Sequence, residues 1–377
     1  MELIVRSAAD TCALQRDSLR DGPESYFSRD YATARARFRR AARAAGADLD
    51  ALELDARGPQ GEPLAIDIAW LGMSGARRLV LHTSGLHGVE AYAGSAIQLA
   101  ALARIARPPE GCALALVHVL NPYGMAWLRR TNENNVDLNR NFLPPGENRP
   151  AAAPLYAAID QVINPASPPG FDWFSLKAAA LVARHGLHTL KQAIAEGQYH
   201  QPRGLFYGGV TLEPGPRLYL DWLRQRCGAA QYALALDVHT GLGRWGTQTL
   251  ILEAGVMATP RAVLGQALGD SLVDPARGEA TYVARGSMGG CLPHVLPSTR
   301  LDCVLQELGT YTALRVLRAL REENRWHHHG RATPDHPVKR VLREAFCPAS
   351  PAWRAGVVER GARLLLAGCD WTFRTST

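Results

Sequence analysis

The feature that most constrains this chain is a series of short apolar runs separated by stretches of helical spacing. The runs are ALELDA at 51, PLAIDIAWL at 63, RRLVLHTS at 77, CALALVHVL at 112, QYALALDVHT at 231, TQTLILEA at 247, EATYVAR at 279 and LDCVLQEL at 301. Most are apolar throughout rather than alternating, which suits strands covered on both faces. Helical spacing occupies residues 29–45, ended by Gly46, then YAGSAIQLAALARIA at 92 and the stretches around 172–195, 216–229 and 311–325. Strands interleaved with helices predict an α/β fold: a central mixed, mostly parallel sheet of about eight strands with helices on both faces.

The chain has 377 residues, 47% of them hydrophobic and 20% charged, enough for one large core. One domain over 1–377 is expected, with an N-terminal helical extension over 1–50 and an insertion over 144–215. The insertion starts Pro-rich (PPGENRPAAAP), turns helical and ends in QYHQPRGLFYGGVTLEPGP. It should lie over one rim of the sheet.

The formal net charge is +7, which raises the question of an anionic partner. The one dense basic cluster is Arg35, Arg37, Arg39, Arg40 and Arg43, within an Ala-rich helical stretch. A solvated helix face explains it better than a nucleic-acid contact. The seven cysteines (Cys12, Cys112, Cys227, Cys291, Cys303, Cys347 and Cys369) follow no disulfide or zinc-knuckle spacing. Several sit in apolar runs, so they read as small buried hydrophobes of a reducing compartment. MELIVRSAADTCALQRD has no signal-peptide pattern, and no apolar run reaches the ~18 residues of a membrane span. A cytoplasmic location is expected by elimination, with neither a membrane nor a nucleic acid as partner.

Four motifs carry chemistry. In GLHGVEAYAG, His87 and Glu90 stand three apart at a strand-to-helix junction, on one face of a turn. Taken alone, the pair is as well explained by a helix N-terminus with a favourable Glu. In LALDVHTGLG, His239 closes an apolar strand, where open α/β sheets bind ligands. Two His and a Glu leave one open position on a zinc ion. Otherwise His239 is a strand-end His capping a turn.

The third motif is NPYGMAWLRRTNENNVDLNRNF, 121–142. Asn139 and Arg140 pair an amide with a guanidinium, a combination suited to gripping a carboxylate. Arg129 and Arg130 are candidates to stabilise an oxyanion, and Asp137 to orient a ligand His. A polar surface loop is the plain alternative. The fourth is CVLQELGTY, with Glu307 ending an apolar strand, where a carboxylate is costly unless paired or facing a site. Upstream, TYVARGSMGGCLP places Tyr282 beside a Gly-rich loop that could swing over a substrate. The RWHHHG tract at 326 lacks a nearby acid at ligand spacing and reads as surface or helix-end packing.

In this order, the four motifs resemble the zinc carboxypeptidase superfamily, the carboxypeptidase A-like group that includes succinylglutamate desuccinylases and aspartoacylases. The chain resembles a little-characterised bacterial branch, over roughly residues 60–320. The resemblance implies one Zn²⁺ per chain on His87, Glu90 and His239, with Asp137 supporting the first His. It implies Glu307 as general base, Arg130 as the carbonyl-polarising Arg (Arg129 being the neighbouring register), Asn139 and Arg140 as carboxylate binders, and Tyr282 as a mobile tyrosine. The expected reaction is hydrolysis of an amide next to a free carboxylate, in a peptide or an N-acyl amino acid. An esterase or lactam hydrolase on the same metal site, and a non-catalytic binding protein, are the other classes. Residues 1–50 and 144–215 have no counterpart, and the resemblance says nothing of oligomeric state.

Overall fold

A computed structural model describes residues 22–374, apart from 145, 148, 150–152 and 280–282. In chain order the strands are β1 (Asp48–Arg57), β2 (Pro63–Gly72), β3 (Arg78–Ser84), β4 (Cys112–His118), β5 (Tyr232–Gly241), β6 (Gln248–Met257), β7 (Leu272–Val273) and β8 (Arg300–Gly309). The helices are α1 (Tyr31–Ala44), α2 (Ala91–Leu102), α3 (Pro122–Ala126), α4 (Pro154–Ile163), α5 (Phe174–His185) and α6 (Leu187–Ala195). They continue with α7 (Pro214–Cys227), α8 (Arg261–Leu268), α9 (Met288–Val295), α10 (Ala313–His329), α11 (Pro337–Phe346) and α12 (Pro351–Arg374).

The strands form one sheet in the order β1-β2-β4-β3-β5-β8-β6-β7. The pairs β4–β3, β3–β5, β5–β8 and β6–β7 are parallel, while β1–β2, β2–β4 and β8–β6 are antiparallel. The expected fold class is therefore the one adopted. The centre, β4-β3-β5-β8, is parallel and buried on both faces, as its unbroken apolar runs require. Side chains alternate between two cores. Ile66, Ile68, Leu79, Leu81, Ala233 and Ala235 meet α7 and α9 on one face. Leu71, Val80, Leu114, Leu234, Leu236 and Val304 meet α1, α2, α8 and α12 on the other.

Several expectations need correcting. Residues 31–50 are no appendage: Phe38 and Ala42 of α1 lie in the second core, and β1 starts at Asp48. Nor is the arginine cluster only a solvated face. Arg35 and Arg39 both bind Asp67, a carboxylate that β2 buries completely. The helical stretch over 172–195 is two helices, because Gly186 at φ +77° ends α5 and opens α6. EATYVAR forms no strand over its described residues, and 280–282 lie outside them. The 24-residue α12 was not read from the sequence.

The segment after residue 144 meets the 121–142 loop, where Ala195 accepts from Arg140. Its helices α4 and α6 share a small core of their own: Tyr156, Ile159, Ile163, Leu190 and Ile194. Six cysteines are buried and free, while Cys12 lies outside the described residues. Among the described residues no helix is long and apolar enough to cross a membrane.

Candidate metal centre

The site forms where β3, β5 and β8, three adjacent parallel strands, reach their carboxyl ends. β3 runs out at Ser84, and His87 precedes a tight turn, Gly88–Glu90, that leads into α2. Only glycine fits at 88: a Cβ there would lie 2.0 Å from the Gly124 carbonyl carbon. That close approach lets the Gly88 and Val89 amides donate to the carbonyls of Arg130 and Arg129. The 121–142 loop is thereby tied to the ligand turn. His239 and Glu307 stand directly opposite each other in the β5–β8 register.

Among the described residues, His87, Glu90 and His239 are grouped so that one ligand atom from each lies within 4.8 Å of the others. All three are buried. The two Nδ1 atoms face each other at 3.2 Å. Glu90 reaches His87 Nδ1 with one oxygen at 2.9 Å and His239 Nδ1 with the other at 3.3 Å. Both rings are held from behind: His87 Nε2 lies 3.1 Å from Asp137 Oδ1, and His239 Nε2 lies 2.7 Å from Asp237 Oδ2. A carboxylate behind each Nε2 takes its N–H and leaves the Nδ1 lone pair facing inward. Two lone pairs and a carboxylate converging in a buried space repel one another unless a cation stands among them. Arg130 and Arg140 set positive charge against Asp137, and Arg130 also reaches Glu90. Two imidazoles and a carboxylate are a donor set that catalytic zinc sites use. The residues fit the metal that the sequence suggested.

The electrostatics separate the two Glu residues. Burial works against ionising Glu90, but the imidazoles of His87 and His239 outweigh it and hold Glu90 below the usual carboxylate range. Burial pushes Glu307 up to about 7, despite the nearby His239. One Glu307 oxygen accepts the Leu242 amide at 2.8 Å, which leaves the other for a proton. Asp137 is likewise buried, yet Arg130 and His87 keep it well below its ordinary value. Asp237 and Glu90 overcome burial to raise His239 well above its own.

The loop divides its arginines. Arg130 faces the cluster, with Nε 2.9 Å from Asp137 and Nη1 3.0 Å from Glu90. Arg129 turns away into a buried contact with Glu323 and Asn135. Asn139 accepts the Met288 amide with its side-chain oxygen. Arg140 is fully buried: its guanidinium donates to the carbonyls of Ala195, at the end of α6, and Asn139. The Phe206 ring lies 5.2 Å from the Arg130 guanidinium carbon and 5.7 Å from that of Arg140. Phe206 has φ +56°, a left-handed conformation costly for an aromatic residue. Tyr282 lies outside the described residues. The His tract closes α10, where burial and then Arg129 press His327 down to about 3 and His328 to about 4.

Sequence reasoning missed Asp237, Leu242 and Phe206. For Asp237 the signal was present: Asp-x-His on a strand puts both side chains on one face. Nothing local marked the other two.

The model of a family described as a protein of unknown function (DUF2817) matches residues 27–360. No curated protein matches the sequence. Among solved structures the chain is similar to murein-tripeptide amidase MpaA from Escherichia coli O157, at 17% identity and TM-score 0.37, over 74% of this chain and 92% of that one. It is similar to a carboxypeptidase A from Helicoverpa armigera, at 14% and 0.43, over 91% and 82%. A metallo-carboxypeptidase from Burkholderia cenocepacia matches at 11% and 0.42, over 89% and 68%. At such identities and scores, the reading of the site rests on its own geometry.

Proposed function

We propose that this chain, which belongs to the DUF2817 family, is a zinc-dependent hydrolase that cleaves an amide bond next to a free carboxylate, in the manner of a metallocarboxypeptidase. The observation that carries this reading is the pair of inward-facing Nδ1 atoms, 3.2 Å apart, each ring backed by a carboxylate, with Glu307 beside His239. His87, Glu90 and His239 would hold one Zn²⁺, which when bound polarises carbonyl and water oxygens. Asp137 and Asp237 keep the two rings in the tautomer that binds. Glu307, near neutrality and with one oxygen uncommitted to Leu242, takes the proton of the attacking water and passes it to the leaving nitrogen. The water oxygen adds to the carbonyl carbon first, and the C–N bond then breaks as the nitrogen takes the proton. Arg130 supplies positive charge where the carbonyl oxygen becomes an oxyanion. Tyr282 is retained as a residue that acts on the substrate, and Asn139 with Arg140 as the carboxylate grip. The free buried cysteines favour a cytoplasmic setting.

Two measurements test the reading. Elemental analysis should find about one tightly held zinc per chain, lost or greatly weakened in His239→Ala; full retention in that variant overturns the ligand set. Substrates with a free α-carboxylate should be cleaved about 10- to 150-fold better than their C-terminal amides, from the worth of a charge-assisted contact. Equal cleavage would instead favour an esterase or endo-acting amidase on the same metal. One observation favours that second reading: Arg140 is enclosed and already engaged with Ala195.

A further inference from the structure

Helices α4, α5 and α6 leave a groove of about 570 Å³ between themselves and α10. Small-molecule sites commonly run ~300–1,000 Å³. Its walls include Ile159 of α4, Val182 of α5, Leu187, Leu190 and Ile194 of α6, and Leu317 of α10. Among the described residues, Lys191 is its only charged lining residue and Ser175 its only other polar one.

Three of the groove's lining residues also touch the candidate site. Ala195 accepts from Arg140, Phe206 lies against Arg130, and the Leu242 amide donates to Glu307. Towards water, Val182, Leu187 and Leu314 remain 39%, 53% and 46% exposed, an apolar rim that folding alone does not cover. The space exceeds what one amino-acid side chain fills. An extended peptide would bring an N–H and a C=O per residue into walls that offer almost no partners. An alkyl chain brings none.

We propose that this groove holds a long acyl chain of the substrate, so that the enzyme acts on N-acyl amino acids with extended alkyl groups. The proposal rests on the hydrolase reading above. Water adds its oxygen to the acyl carbon, the C–N bond breaks, and the nitrogen takes the proton, releasing a fatty acid and a free amino acid.

The test uses the zinc-loaded full chain. Turnover of N-acyl amino acids is measured from acetyl to dodecanoyl, and binding of dodecanoate is measured separately by calorimetry. kcat/KM should climb roughly fourfold per added methylene until the groove is full. Ala178→Trp, which fills the groove, should cut the dodecanoyl-to-acetyl ratio of kcat/KM at least tenfold. Leu187→Asp, at the half-exposed rim where the fold tolerates a charge, should weaken dodecanoate binding. Dodecanoate binding lost in Leu187→Asp, with no N-acyl amino acid cleaved by the wild type, would support the acyl groove and overturn the hydrolase reading. An active enzyme with flat chain-length dependence and no dodecanoate binding would overturn the groove alone. A dimer dissociated by Leu187→Asp, again without dodecanoate binding, would assign the surface to a second copy and equally overturn it.

Discussion

Glu90 and Glu307 are both buried in one cluster, yet they lean in opposite directions. Glu90 sits between two imidazoles that favour its charge; Glu307 has one backbone amide and the negative Glu90 nearby. Carboxyl groups whose values are driven apart in this way divide the work, one holding charge and the other exchanging protons. Glu307→Gln should therefore keep its zinc and lose turnover by at least ~10²-fold. Near wild-type rates in that variant would place the base elsewhere. The pH dependence follows from the same residue. A base works when deprotonated, so kcat/KM should rise with pH along an acid limb. Burial sets Glu307 at about 7, and a bound dication can only lower that, so the limb's midpoint should fall below 7. A limb centred well above neutrality would point to another group.

At the scale of elements, the site is a joint between the carboxyl ends of three strands and a loop pinned from two sides. The turn at Gly88 holds the loop by its backbone, and the segment after residue 144 holds it through Arg140. Asp137 donates its amide to the Tyr207 carbonyl, and Tyr199 donates its hydroxyl to the Arg140 carbonyl. Gly197 makes this docking possible. It has φ +105°, and a Cβ there would come within 2.6 Å of Arg140 Cδ. Gly197→Ala should destabilise the protein by about 1–3 kcal/mol, from overpacking and a disfavoured backbone together. A thermal melt is the measurement, and an unchanged Tm would mean that the segment does not depend on this contact.

At the scale of the whole molecule, buried charge ties distant parts together. Glu323 of α10 binds Arg129 from the 121–142 loop at 3.0 Å and Lys339 of α11 at 2.6 Å. All three are buried. Burial opposes the charge on Glu323, but Arg129 and Lys339 prevail and bring it to about 2 from 4.5. A carboxylate lowered on folding stabilises fully above its unfolded value, and that contribution disappears as pH falls through the folded one. Wild-type stability should therefore decline between about pH 4.5 and 2. Glu323→Gln, which leaves two buried cations without their anion, should lose about 3–5 kcal/mol at pH 7 and show a flatter acid decline. Denaturant melts across that range decide it; parallel pH curves for the two proteins would remove Glu323 from this role.

The strand pattern and the site's strand-end residues were legible because they are local. Unbroken apolar runs require two covered faces, and His87, His239 and Glu307 each stand where such a run stops. The His87–Glu90 spacing also lies within one turn. What could not be read depended on which distant surfaces meet. Arg129 and Arg130 are adjacent and chemically alike; only the packing of α10 and α11 against the loop draws one into Glu323 and leaves the other to Glu90 and Asp137. That Arg140 also donates to the Ala195 carbonyl of α6 is likewise unmarked in its own motif. The helix α12 lies beyond the last motif. Its place along α2, with Gly361 against Ile97, exists only once the sheet has formed. Sequence by itself determined the central strands of the sheet and the residues at their ends. Tertiary structure alone decided which charges face the candidate metal site, because burial and partner, not residue type, set where a charged side chain can lie.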